Sequence, residues 1–179
     1  LLPVCGKRIH SGDFETMGYI YRNALEGDSI FGRIAHKLAV EEPLAAGVRT
    51  RKELVKQLHR DEAERLQGRS SDQPFRVTSL GSGLALEVTE LVRERPDWSR
   101  RASWTLVDTE ENALSLAYAD VHTAIRELES PAELTCYHTS FKQFLSAPLD
   151  TTHEHPQHLI YASGLFDYIP DSLGPTIVR

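Results

Sequence analysis

The sequence predicts an α/β fold built on parallel strands, and three observations carry that prediction. Beyond residue 70, short apolar runs alternate with amphipathic stretches of helical period, the order in which βαβ units are written. The first run ends directly in a glycine pair, Leu80-Gly81-Ser82-Gly83, and the second ends in an acid, Val107-Asp108. Parallel strands joined by crossover helices, with helices on both faces, make a Rossmann-like sheet. The residues before it read as a helical cap. The expected division is 1–69 for the cap and 70–179 for the sheet domain, parted by the polar, turn-rich connector Gly68 to Pro74.

The elements follow in order. Asp28 or Ser29 can cap a helix on which Ile30, Phe31, Ile34 and Leu38 recur at helical spacing. Pro43 suits the first turn of a second helix, with Leu44, Val48, Val55, Leu58 and Leu66 on one face and Gly68 as its stop. Phe75 to Leu80 is a strand, Leu84 to Arg95 a helix ended by Pro96, and Trp104 to Val107 a second strand. A long helix from Glu110 to Leu128 turns Ala113, Leu114, Ala117, Val121 and Ile125 inward. Strands around Leu134 to Tyr137 and over Leu159 to Ala162 complete the pattern. Trp98, Trp104 and Cys136 read as packing residues, whereas His36, His59 and His122 sit among charged neighbours and read as surface.

Composition bounds the function. The chain has 179 residues, 40% of them hydrophobic, enough for a core, and 20 Lys and Arg against 26 Asp and Glu leave it at −6. No basic stripe is visible, which argues against nucleic acid as a principal partner. No apolar run approaches the roughly 18 residues of a membrane span. Cys5 and Cys136 stand far apart without a CxxC partner, the usage of reduced thiols, and nothing reads as an export signal, so a cytoplasmic location is expected. The start at Leu1 and the end at Arg179, just past an apolar stretch, suggest a piece of something longer, with further strands expected after Arg179.

The chemistry concentrates where the strands end. Gly81, Ser82 and Gly83 form a turn in which backbone can approach a ligand closely, and the following helix N-terminus favours electron-rich groups. Asp108 stands where an acid accepts hydrogen bonds from ribose hydroxyls. The third glycine of a G-x-G-x-x-G fingerprint is Leu86 here, which disfavours a pyrophosphate-bearing dinucleotide and suits S-adenosylmethionine.

Ser79-Leu80-Gly81-Ser82-Gly83, Leu106-Val107-Asp108 and Leu159 to Tyr168 together resemble a class I S-adenosylmethionine-dependent methyltransferase. Gly12-Asp13-Phe14-Glu15-Thr16-Met17, Tyr19, Tyr21-Arg22-Asn23 and Glu26 to Gly32 resemble, more narrowly, the bacterial family that makes the extracellular factor 3-hydroxypalmitic acid methyl ester, a quorum-sensing signal. The acid common two residues before the first glycine in such enzymes is Ser79 here, a departure that the narrower family resembles. The likeness implies Gly81 and Gly83 against the methionine half of the cofactor, Asp108 on the ribose and Thr109 beside it. It further implies Ser140 and Phe141 at the adenine, and Ser163 and Gly164 along the methyl-transfer pocket. The implied substrate is a small molecule, a fatty acid or acyl thioester, methylated on its carboxyl oxygen.

A carboxylate acceptor needs placement rather than a general base. Tyr19, Arg22 and Tyr168 are the candidates to hold it, with Lys7, His10 and Tyr21 behind them, and Asp13 or Glu15 could meet the cofactor's ammonium. No metal is expected: His153, His155 and His158 fall in a polar, Pro-containing loop without a second ligand cluster. Two other classes remain in view, a non-catalytic nucleoside-binding interaction module and an NAD-dependent oxidoreductase. A homo-oligomer is left open.

Overall fold

The structure is a computed structural model and describes residues 14–67, 73–94, 96–129, 131–140, 143 and 156–165. The chain divides into two compact units, Leu1–Leu54 and Val55–Arg179. The division falls inside a helix, upstream of the Gly68 to Pro74 connector expected from composition.

The first unit holds α1 (Phe14–Arg22), α2 (Ile30–Glu41) and the opening turns of α3 (Pro43–Gln67). Phe14 and Glu15 open α1, which Asn23 closes in the left-handed region at φ 48° with its N–H on Tyr19 O, a helix ending that Asn tolerates. Ser29 caps α2 as expected, its Oγ accepting the Gly32 N–H at 3.0 Å. Arg49 donates to Val40 O at 2.6 Å and Ile20 O at 3.2 Å, satisfying carbonyls near the ends of α2 and α1. The expected inward face of α2 is corrected: Ile30, Phe31, Ile34 and Leu38 are exposed, and the buried side chains are His36 and Val40.

In the second unit β1 (Phe75–Leu80), β2 (Ala102–Asp108), β3 (Glu133–His138) and β4 (Leu159–Ala162) form one parallel sheet in the order β3-β2-β1-β4. β1 and β2 are almost wholly buried, as central parallel strands must be, while β3 at the edge alternates with solvent. α4 (Leu86–Glu94) and α6 (Glu111–Glu127) link the first three strands, with the short α5 (Pro96–Ser99) after α4, so Pro96 both ends one helix and begins the next. The inward residues foreseen on α6 are all buried.

One core joins α4, α6 and the second half of α3 to the sheet. Phe75, Trp98 and Trp104 form its aromatic centre, with ring centroids 5.4 to 6.5 Å apart. On α3 the anticipated stripe holds only in part: Val55 is buried and Leu66 packs against the core. Leu44 and Leu58 are exposed, and the helix buries Ala45, Lys52, Val55, Lys56, His59 and Ala63. Lys56 survives there because Glu90 and Glu94 of α4 each accept from its Nζ at 2.7 Å; burial pulls its pKa down, and those two hydrogen bonds outweigh that, leaving it raised. Among the described residues no helix is long and apolar enough to cross a membrane.

Candidate functional site

The chain runs from β1 outward through β2 to β3 and then returns to the other side of β1 at β4. Crossovers that diverge from a central strand leave a crevice at the carboxyl ends of the strands on either side of the reversal. β1 ends there in Leu80, and β4 continues into Ser163, Gly164 and Leu165.

The glycine turn is held by β2. Gly81 N–H and Ser82 N–H both donate to Val107 O, at 2.8 and 3.1 Å, and Gly83 N–H donates to Asp108 Oδ2 at 2.7 Å. Asp108 Oδ1 accepts the Glu110 N–H at 2.9 Å, an Asx turn into α6. The strand-end acid therefore ties the loop after β1 to the loop after β2, a role that sequence reading did not assign to it. Gly81, Gly83 and Ala85 all have positive φ, at 65°, 52° and 45°. For the buried Ala85 this is a strained conformation of the kind that clusters at functional sites.

The two glycines differ in what surrounds them. A Cβ on Gly81 would lie 3.3 Å from Leu165 Cβ and Cδ1, so the turn after β1 packs directly on the residue that follows Gly164. A Cβ on Gly83 would meet no described residue within 4 Å. Beside that open space the Ser82 Oγ is buried with no hydrogen-bond partner among the described residues. Each Asp108 oxygen accepts one backbone N–H and retains a second lone pair. An open glycine backbone, an unsatisfied hydroxyl and a carboxylate with acceptor capacity to spare suit a nucleoside cofactor that carries an amino-acid group.

The other expected positions fall into three sets. Thr109 is exposed, and its carbonyl lies 3.0 Å from His138 Nε2. Ser140 forms a capping box: its Oγ accepts the Gln143 N–H at 3.2 Å and Gln143 Oε1 accepts the Ser140 N–H at 3.1 Å. Ser163 and Gly164 are half-buried at the end of β4, with Gly164 at φ 93°. Tyr19 and Arg22 belong to α1 in the first unit. Tyr19 meets the His36 ring edge-on at 5.3 Å, and Arg22 lies over the Tyr19 ring and bonds Glu26 at 2.9 Å. Phe141 and Tyr168, like Lys7, His10, Asp13, His153 and His155, lie outside the described residues. His158 Nδ1 accepts the Arg76 N–H at 3.0 Å, stapling the entry of β4 to β1.

Two histidines read as surface residues are buried. His59 is fully enclosed: Nδ1 lies 2.7 Å from Val55 O, Nε2 has no hydrogen-bond partner among the described residues, and the ring packs on Trp104 and edge-on against Tyr161 at 4.8 Å. Burial lowers its pKa to about 4. His36 is buried with neither ring nitrogen hydrogen-bonded among the described residues. Tyr161 in turn donates from its OH to Glu87 Oε1 at 2.7 Å in the buried interior. Nothing in the sequence singled out Glu87, although an acid in the first turn after a glycine loop was a signal available to find it.

The parallel sheet, the reversal at β1 and the glycine turn beside a strand-end acid define a Rossmann-like α/β domain. A family model described as "Putative methyltransferase" matches residues 6–173. The chain belongs to this methyltransferase family. No curated protein and no solved structure matches it.

Proposed function

We infer that the chain is an S-adenosylmethionine-dependent methyltransferase that O-methylates the carboxyl group of a small acid, a 3-hydroxy fatty acid or its thioester relative being the substrate class that the sequence resemblance favours. The observation that carries the cofactor assignment is the Gly83–Asp108 pair: open space at the glycine Cα beside a carboxylate that keeps free lone pairs. A dinucleotide is disfavoured by Leu86 at the position where a third glycine would admit a pyrophosphate.

When bound, the sulfonium supplies an already activated methyl group, so the chain's own residues have to bind, orient and exclude water. Asp108 would accept from the ribose hydroxyls, the backbone of Gly81 to Gly83 would flank the methionine part, and the Ser82 hydroxyl would find there the partner it lacks among the described residues. Thr109, Ser140 and Phe141 border the nucleoside, and Ser163 and Gly164 line the path of transfer. Tyr19, Arg22 and Tyr168 are assigned to the acceptor carboxylate, which is ionised at neutral pH and requires no base. A cytoplasmic location, expected from the widely separated Cys5 and Cys136, is part of the same proposal.

Calorimetric titration with S-adenosylmethionine and with NAD separates the classes: binding of the sulfonium and not of NAD is expected, and the reverse overturns the assignment. Incubation with methyl-labelled cofactor and a panel of 3-hydroxy fatty acids, acyl thioesters and short carboxylic acids, read by mass spectrometry, is expected to give a methyl ester. A chain that binds the cofactor and transfers nothing across that panel is a binding module or acts on another acceptor class.

A further inference from the structure

The crevice has two walls on different elements, the glycine turn that leads into α4 and the end of β4, and a buried hydrogen bond joins those elements beneath it. Glu87 stands in the first turn of α4, four residues after Gly83; Tyr161 stands on β4, two residues before Ser163 and in register with Ser79 of β1. The Tyr161 OH donates to Glu87 Oε1 at 2.7 Å, and both side chains are more than nine-tenths buried.

A buried carboxylate is tolerated only where it is well satisfied, so its presence in the interior calls for a reason beyond stability. The Tyr161 ring is itself fixed, with the His59 ring set edge-on against it at 4.8 Å. Above this bond the same two walls meet again, where the backbone of Gly81 packs against Leu165.

We propose that Glu87 and Tyr161 are positioning residues that set the spacing between the two walls of the cofactor crevice. The proposal rests on the cofactor reading above and adds to it a device that touches neither cofactor nor acceptor. A ligand that contacts both walls binds most tightly when they are already at the right separation, and loosening the support makes binding supply that order. The contact being a hydrogen bond to a carboxyl oxygen, a glutamine at 87 keeps the acceptor and an alanine does not.

The test titrates the full chain calorimetrically with S-adenosylmethionine as wild type, Tyr161→Phe, Glu87→Ala, Glu87→Gln and the Tyr161→Phe/Glu87→Ala double variant, each with a thermal melt in the absence of cofactor. Tyr161→Phe and Glu87→Ala are expected to weaken binding about ten-fold, the double variant no further, since members of one bond do not add. Glu87→Gln is expected to stay within about two-fold of wild type, as its amide oxygen accepts the same hydrogen bond. Melting temperatures that fall while affinities stay at the wild-type value overturn the proposal, because the bond is then merely structural. A Gln variant as weak as Ala also overturns it. Should Glu87→Ala fail to fold, the near-isosteric Tyr161→Phe decides alone. A wild type that does not bind the cofactor removes the functional reading and this proposal together, whereas a binding wild type with unaffected variants removes only the proposal.

Discussion

At the scale of single residues, Asp108 holds two loops together and, on the cofactor assignment proposed above, also meets the ribose, so one substitution tests both roles. Its carboxylate accepts from the Gly83 and Glu110 amides and retains further lone pairs. Asp108→Asn offers one acceptor oxygen and sets an NH2 against the other backbone N–H. A hydrogen bond to a charged group is worth about 1.5–3 kcal/mol, so cofactor affinity is expected to fall by one to two decades and the cofactor-free melting temperature to fall as well. Lost affinity with an unchanged melt would confine Asp108 to the ligand. His59 gives a second prediction. The unfolded ring titrates near 6.5, and burial holds the folded ring at about 4. Between those values the unfolded chain binds more proton, so stability declines as pH drops from about 6.5 toward 4, by up to about 1.4 kcal/mol per pH unit, with no contribution from this group above that window. Urea unfolding of wild type and His59→Leu across pH 4.5 to 7 is expected to show the shallower pH dependence in the variant; equal slopes would locate the titration elsewhere. The position of Asp108 was legible because strand-end acids follow a linear pattern. The burial of His59 was not, because Arg60, Asp61 and Glu62 follow it in sequence, while in space it lies between Val55 and Ala63 on one helical face.

At the scale of elements, the strands are legible almost to the residue, since β1, β2 and β4 are short runs rich in apolar and β-branched residues and flanked by turn residues. The faces of α2 and α3 were misread for a physical reason. Their large aliphatic residues make the more conspicuous stripe, but the buried faces use small and polar residues, Ala45, Lys56, His59 and Ala63, with Lys56 made tolerable by two carboxylates that lie far away in sequence. α1 carries no clear helical stripe in sequence, and Gly18 at its centre, a poor helix former, is its buried residue. The turn between β1 and α4 yields the prediction at this scale. Gly83→Ala adds a methyl to open space at φ 52°, so it costs about 1–2 kcal/mol of left-handed strain and projects into the crevice, where loss of cofactor binding should be the larger effect. Gly81→Ala bears the same strain at φ 65° and in addition crowds Leu165 at 3.3 Å. Thermal melts without ligand are therefore expected to rank Gly81→Ala below Gly83→Ala, while calorimetry shows binding lost in both. The opposite ranking would mean that the open side of Gly83 is not a ligand surface.

At the scale of the whole molecule, the sheet explains why the site is where it is. Three strands laid down in one direction and a fourth on the far side of β1 leave one place where crossovers do not close the strand ends, and the glycine turn, Asp108 and the Ser163–Gly164 segment all converge on it. Sequence pattern supplied the members of this set, because each follows a strand; their connections, Gly83 to Asp108, Gly81 to Leu165 and Tyr161 to Glu87, come from the order in which the strands are placed and cannot be read along the chain. Linkage turns this into a measurement. A ligand that binds only the folded state at one hundred times its dissociation constant stabilises it by about 2.7 kcal/mol, which for a chain of this size corresponds to a rise of roughly 5–10 °C in melting temperature. Saturating S-adenosylmethionine is expected to produce such a shift, and the accompanying slowing of amide hydrogen exchange must include Gly81 to Gly83 and the amides from Asp108 to Glu110. These loops hold few buried apolar contacts of their own, so they should open locally in the free protein and gain most on binding. A melting shift without protection at these amides would place the ligand elsewhere on the molecule and leave the reversal at β1 as architecture alone.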